Sequence, residues 1–377
     1  MLSSRLRNIN LKLQRRSKQV MTLLNPEIRE NLQKFQSHRS TFYQAYWLKV
    51  AKNIGAEIDN LGDGYFRLCK NSVVTYVRGE FVMLDNHLVL KLSGNKPIIH
   101  KMLTGLNIPV PRYCTYDLQS MSRAQNMIDE LGGEFVVKPA AETGGGKGVT
   151  TSISNMKMLG KASLQASVFS RNLMIEEQVP GDSYRLLYLN GELLDVIRRD
   201  PPIVTGDGKS SIKQLMKKET QKRVHSMPLI ALHPLDPDLE CQFTLAKQGL
   251  SLSSTPKKGE VVTVKHAPNQ NSCYENHIVK DQIHPSIVRL GRDLASMFGI
   301  ELAGVDLITP DISVPLSESK GVINEINSTP GLHHHYLVAK KDKRARIGEV
   351  ILNKIFDSQQ KVNGQSIFSK KSPSISL

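Results

Sequence analysis

Asp306 stands in the run Leu302-Ala303-Gly304-Val305-Asp306-Leu307-Ile308, and Glu325 and Asn327 stand in Gly321-Val322-Ile323-Asn324-Glu325-Ile326-Asn327. Both runs read as strands by their alternation. Residues two apart on a strand point to one face, so Glu325 and Asn327 share a side. Two carboxylates and an amide on neighbouring strands form a hard-oxygen set suited to Mg²⁺, with Mn²⁺ as the alternative ion. The plain alternative is a solvated sheet edge bearing three ordinary polar residues.

A second stretch points toward phosphate. Gly144, Gly145, Gly146 and Gly148 surround Lys147. So many glycines exclude a helix or a strand interior and leave a loop whose N–H groups can approach a ligand. With Lys147 inside it, the loop suits a polyphosphate. It is neither the Walker pattern, since the lysine is followed by glycine, nor the dinucleotide fingerprint. The plain alternative is a surface hairpin. His333, His334 and His335 follow the Glu325 strand. Three adjacent loop histidines do not readily face one ion, so zinc has little support.

These residues need elements to hold them. Thr41 to Asn53 reads as a helix, with strands at 64–69, 72–78 and 80–83 and a further candidate strand at 88–92. Lys96 to Leu106 reads as a helix with Pro97 in its first turn. Residues 122–131 form a helix, and 134–139 and 171–179 form strands. Residues 184–190 and 192–198 form a hairpin across Asn190-Gly191. Helices are expected at 211–218, 286–298 and 345–356, and 219–280 reads as irregular apart from short strands such as 261–266. Domains are expected at 1–40 (a basic helical arm), 41–95 (a small α/β unit) and 96–356, followed by a polar, disordered tail at 357–377.

Composition bounds the reading. The 377 residues are 40% hydrophobic and 23% charged, as in soluble globular proteins. No apolar run is long enough to span a bilayer. Cys69, Cys114, Cys241 and Cys273 are scattered, which favours free thiols in a reducing compartment such as the cytoplasm. The acid-free start, with Arg5, Arg7, Lys12, Arg15, Arg16 and Lys18 before Glu27, carries Leu2, Leu6, Ile9 and Leu13 at helical spacing. A packed helix is the favoured reading, and organelle targeting is the alternative. A net charge of +15 implies an anionic partner. A single tryptophan and no basic–aromatic interleaving argue against nucleic acid.

The order of the motifs is distinctive. Val137-Lys138-Pro139 comes first, followed by Gly181-Asp182-Ser183-Tyr184-Arg185-Leu186-Leu187. Arg199-Asp200-Pro201 and Val204-Thr205-Gly206-Asp207-Gly208 come next. Ala303 to Ser313 and Glu325-Ile326-Asn327-Ser328-Thr329-Pro330-Gly331 complete the set. Over roughly residues 95–340 this pattern resembles the ATP-grasp superfamily, and within it the ATP-grasp domains of cyanophycin synthetases and bifunctional glutathione synthetases.

That resemblance implies an α/β chain of α+β subdomains. These would be an ATP-grasp fold with a lid at about 110–175, the small N-terminal domain and the basic arm. It implies an ATP-dependent carboxylate–amine ligase, the alternatives being a phosphotransferase or a non-catalytic binding protein for an acidic partner. Lys96 and Lys138 would bind ATP, and Gly144 to Gly148 with Lys147 would close over its phosphates. Glu176, Glu177 and Val179 would form the adenine hinge. Arg185 and Arg199 would serve catalysis at the γ-phosphate, the acylphosphate or a substrate carboxylate. Asp306, Glu325 and Asn327 would carry Mg²⁺. A carboxylate and an amine would be the substrates, an acidic amino acid or peptide among the options, and a homodimer is an open alternative.

Two departures stand out. Ser183 occupies the position where relatives often place a ribose-binding acid, which leaves Asp182 as the candidate. Gln270-Asn271-Ser272-Cys273-Tyr274 replaces a Thr-Gly-Gly pattern and implies a changed substrate pocket. A Mur-ligase-like half and a glutamate–cysteine ligase half are both absent, so polymer synthesis is not expected.

Overall fold

The computed structural model describes residues 26–365 except 142, 341 and 343. The apolar stripe at Leu2–Leu13 and the end of the polar tail, 366–377, lie outside the described residues. The chain divides into two compact units, one of residues 1–39 and 85–345 and the other of 40–84 and 346–377. The helix Pro26–Ile54 runs across that division and starts well before the expected Thr41.

The smaller unit holds four antiparallel strands in sequential order: β1 (Glu57–Gly62), β2 (Tyr65–Lys70), β3 (Val73–Arg78) and β4 (Phe81–Val82). Strand β1 has no apolar alternation, and the sequence reading missed it. Trp47 is fully buried and its indole N–H donates to the Gly79 carbonyl at 2.8 Å, which satisfies its one polar atom. The helix Ile347–Gln365 belongs to this unit. Gly348 lets it approach the Pro26–Ile54 helix, because a Cβ there would sit 2.7 Å from Val50. This helix runs past Phe356, where the disordered tail was expected, since 357–365 contains no proline to stop it.

In the larger unit, β5 (Tyr113–Tyr116), β6 (Phe135–Pro139), β7 (Thr150–Ile153) and β8 (Leu173–Glu177) form an antiparallel sheet in the order β5-β8-β6-β7. Phe135, Val137, Leu173 and Ile175 face the helices Met121–Leu131 and Met156–Ala166, burying a core with Ile128, Leu159 and Ala162. By the period of two, Lys138 and Glu176 lie on the opposite face.

A second sheet has the order β13-β10-β9-β14-β15. Its strands are β9 (Asp182–Leu189), β10 (Glu192–Arg199), β13 (Asn276–Ile278), β14 (Leu302–Thr309) and β15 (Val322–Asn327), while β11 (Ile203–Thr205) and β12 (Val261–Thr263) pair separately. Asn190 and Gly191 close the β9–β10 hairpin with φ of 49° and 76°, the backbone of a two-residue primed turn. Tyr184, Leu186, Tyr188, Val305, Leu307 and Ile326 pack with Ile287 and Leu294 of the helix Pro285–Met297. That leaves the alternate residues on the other face.

Two elements differ from expectation. Residues 88–92 are helical, within His87–Ser93, because the Asn86 side chain accepts from the N–H groups of Leu88 and Val89. Within the expected irregular stretch, Leu239–Lys247 is a helix capped by Asp238, and the helix expected at 211–218 runs from Ile212 to His225.

Candidate functional site

Strand register builds the site. Asp306 pairs with Arg185 of β9 on one side and with Glu325 of β15 on the other. On β10, Arg199 lies two residues beyond Ile197, the partner of Arg185. Arg199, Arg185, Asp306 and Glu325 therefore cross four strands in a row on one face. Asn327, two residues past Glu325, shares that face.

Arg185 grips Asp306 through two hydrogen bonds, Nε to Oδ1 at 2.6 Å and Nη2 to Oδ2 at 2.5 Å. Arg199 Nη1 lies 3.9 Å from the same carboxylate, and its Nη2 donates to the Pro268 carbonyl at 2.8 Å. Burial first, then the neighbouring Arg185, lowers the Arg199 pKa to about 10. Lys96, in the first turn of the helix Lys96–Gly105, meets Glu325 at 3.0 Å. The Glu325 charge raises the Lys96 pKa, against the opposing effect of burial. Burial pushes Glu325 upward, but Lys96, Lys138 and Arg185 outweigh it and hold the carboxyl well below the usual range. Lys138 and Glu176 pair at 2.6 Å from the other sheet, both side chains only 6% exposed.

Lys96, Lys138, Glu176, Arg185, Arg199, Asp306, Glu325 and Asn327 thus come together. Three buried atoms there lack a partner among the described residues: Arg199 Nε, Asn327 Nδ2 and Glu176 Oε2. Buried polar groups in folded proteins are almost always paired, so a cluster of exceptions marks a place built for something else.

The glycine loop has the opposite character. Gly145, Gly146 and Gly148 take positive φ of 65°, 69° and 75°. Among the described residues, none of the N–H groups of 144–148 donates to a protein acceptor. Lys147 is exposed and has no ion partner there. The Gly146 carbonyl instead accepts from Asn269 Nδ2 at 3.2 Å.

Other sequence candidates lie differently. The Glu177 carboxylate forks with Arg112 at 2.9 and 3.1 Å, and its N–H donates to the Arg112 carbonyl at 2.8 Å. The N–H of half-buried Val179 has no acceptor among the described residues. Asp182 is exposed at the start of β9, within 3.5 Å of the Tyr184 hydroxyl. The three histidines diverge. His335 Nδ1 bonds buried Asp195 at 2.8 Å, while His333 and His334 line a small cavity with His233, Asn269, Asn271 and Ser272. Among the described residues no three His, Cys, Asp or Glu side chains gather as a metal centre.

In sequence the chain is 32% identical over 252 residues to a cyanophycin synthetase of Crocosphaera subtropica, covering 66% of this chain and 29% of that protein. It is 28% identical over 297 residues to the glutathione biosynthesis bifunctional protein of Streptococcus mutans, covering 76% and 38%. Its fold matches the crystal structure of a bifunctional glutathione synthetase from Pasteurella multocida with a TM-score of 0.51 at 23% identity, covering 81% of this chain and 42% of that one. The chain has the ATP-grasp fold. No family model matches it. It spans about a third of the length of the curated relatives it matches.

Sequence reasoning missed part of what surrounds this site. Glu240 is buried, with Oε1 accepting from the N–H groups of His266 and Ala267 at 3.0 and 2.8 Å. Lys265, fully buried, pairs with Asp238 at 2.7 Å and lies 3.6 Å from Glu240. Burial raises the Glu240 pKa to about 7. An aspartate before an apolar run is a legible cap signal, and Asp238 carries it. Lys265 gave no signal, because its neighbours Val262 and Val264 reveal a core only once folded.

Proposed function

We propose that this chain is an ATP-dependent ligase that joins a carboxylate to an amine, releasing ADP and phosphate. The observation that carries the reading is the row Arg199–Arg185–Asp306–Glu325, buried but for partly exposed Glu325, flanked by Lys96 and Lys138 and edged by unpartnered polar atoms. The sequence relationship to peptide- and amide-forming synthetases supports it.

In the reaction, a substrate carboxylate oxygen attacks the γ-phosphorus and the bond to ADP breaks. The amine nitrogen then attacks the acyl carbon, phosphate leaves and the nitrogen loses a proton. Such chemistry asks the protein for alignment and charge, not for a nucleophile. Lys96 and Lys138 hold phosphate oxygens. The free N–H groups of 144–148 with Lys147 cover the phosphates and exclude water. The unused Val179 N–H serves the adenine edge. Arg185 and Arg199 hold the transferring group or a substrate carboxylate by their forked geometry. Asp306, Glu325 and Asn327 would hold Mg²⁺, a donor set of hard oxygens on one face. The ion supplies neutralisation of the β- and γ-phosphates. Arg185 and Lys96, now paired with Asp306 and Glu325, would face phosphate in that state.

We also infer an acidic substrate. The cavity beside Arg199 has no carboxylate among its lining residues. Burial, then Arg39 and Lys147, lowers the pKa of its His233 to about 4. A cavity lined by neutral imidazoles and amides, with the charges of Arg39, Lys147, Arg223 and Arg199 acting on its His233, favours a ligand that brings negative charge. Scattered thiols with no disulfide fit a reducing cytoplasm.

The test is phosphate release across a panel of carboxylates and amines, with mass spectrometry of the product. The reading expects release that requires Mg²⁺ and an amine, with acidic substrates preferred. Unchanged turnover in Glu325→Ala would refute it, and a stable phosphorylated product formed without amine would make the chain a phosphotransferase.

A further inference from the structure

Residues 265–270 form a continuous strap between the two halves of the site. At its start, Glu240 Oε1 holds the N–H groups of His266 and Ala267. The same oxygen receives the Thr151 hydroxyl at 3.4 Å from β7, the strand that follows the glycine loop. The next residue, Pro268, gives its carbonyl to Arg199 at 2.8 Å. Asn269 then reaches back to the loop, its Nδ2 donating to Gly146 O at 3.2 Å and, at 3.5 Å, to Gly145 O. Gln270 closes the strap, its carbonyl accepting from fully buried Arg223 at 2.6 Å. Three successive residues therefore touch Arg199, the loop and a buried arginine, and the strap start and the strand after the loop share one anchor.

The contact with the loop is close as well as polar. A Cβ at Gly146 would stand 2.7 Å from the Asn269 Cβ, so only glycine lets the strap in. Asn269 takes loop carbonyls and leaves the loop N–H groups unused, the orientation a phosphate needs. We propose that Asn269 and Glu240 are positioning residues, and that the strap 265–270 couples engagement of the glycine loop by nucleotide to the placement of Arg199.

This inference rests on the nucleotide reading of the site, and the experiment separates the two. Mg–ADP is the probe, titrated by calorimetry into the full chain and into Asn269→Ala, Glu240→Gln and Arg199→Lys. In parallel, trypsin cleavage after exposed Lys147 is followed with and without Mg–ADP. Wild type is expected to bind and to protect Lys147. Asn269→Ala should keep the circular dichroism of the wild type. It should bind about tenfold more weakly, the scale of losing its hydrogen bonds to the loop, and lose protection at Lys147. Glu240→Gln keeps the side-chain shape and an acceptor oxygen, and should weaken binding in the same direction by a smaller factor. The double variant Asn269→Ala/Arg199→Lys should lose less than the product of the two single losses, since the strap already links them. A merely structural role for Asn269 would move melting temperature and leave this coupling multiplicative. If Asn269→Ala binds and protects like wild type, or the losses multiply, the strap proposal falls alone. If wild type itself neither binds Mg–ADP nor protects Lys147, the nucleotide reading falls and takes the strap with it.

Discussion

The β9–β10–β14–β15 face and the glycine loop carry opposite solutions to one electrostatic problem. On the sheet face the charges are mostly paired inside the protein. Arg185 grips Asp306, Lys96 grips Glu325, and Lys138 on the facing sheet grips Glu176. In the loop the donors at 144–148 and the Lys147 amine answer to nothing among the described residues. Buried charges without partners cost several kcal/mol, so strands that bury them must pair them. An exposed backbone donor is solvated by water and waits at little cost. On the proposed reading, the difference teaches that the sheet face must exchange partners to bind, whereas the loop only has to close.

The largest expected effect comes from breaking the sheet side. Glu325→Ala should cut phosphate release by about a hundredfold or more. It should also destabilise the fold by roughly 3 kcal/mol, because Lys96 is left buried and unpaired. Phosphate assay and denaturant melting read the two. Next, Arg185→Met should destabilise by a similar ~3 kcal/mol, since Asp306 keeps only the distant Arg199. A melting curve like the wild type's would mean that the pair does not restrain the sheet. On the loop side, Gly146→Ala should lower the melting temperature modestly, from a strain of roughly 1–2 kcal/mol at positive φ beside Asn269, and should weaken Mg–ADP binding about tenfold. Calorimetry beside a thermal melt separates those outcomes. Lys147→Ala should weaken Mg–ADP only a few-fold and reduce its salt dependence, as expected for an exposed charge.

The smallest effect concerns pH. Burial lifts the Glu240 carboxyl to about 7 in the folded chain, above its value when unfolded. Lys265, Asp238 and the N–H groups of His266 and Ala267 are the other groups facing it, Asp238 raising it further and the rest lowering it. The folded state therefore holds more protons between about pH 4.5 and 7, and Glu240's contribution to stability falls as pH rises through that window. Glu240→Gln should flatten the decline in melting temperature between pH 5.5 and 8. An unchanged slope would show that Glu240 stays ionised throughout.

Much of this was legible before folding. The alternation around Asp306 and Glu325 gave two strands and one shared face, and the turn chemistry of Asn190-Gly191 gave the hairpin that carries Arg185 and Arg199. Those signals are local, because a period of two and a positive φ belong to the chain itself. The strand reading of 88–92 failed for a local reason too: a short apolar run suits either state until its cap decides. Strand β1, with exposed Glu57 and Asn60, carries no pattern and exists through its partner β2.

The sequence by itself determined the donor types, their order, and which of them share a strand face, because side-chain chemistry and backbone period are properties of the covalent chain. Only the tertiary structure decided that Arg185 takes Asp306 while Lys96 takes Glu325, and that Asn269, more than a hundred residues downstream, holds the glycine loop. Pairings across such separations depend on strand register and on which groups lose water together, and neither is written in any local stretch.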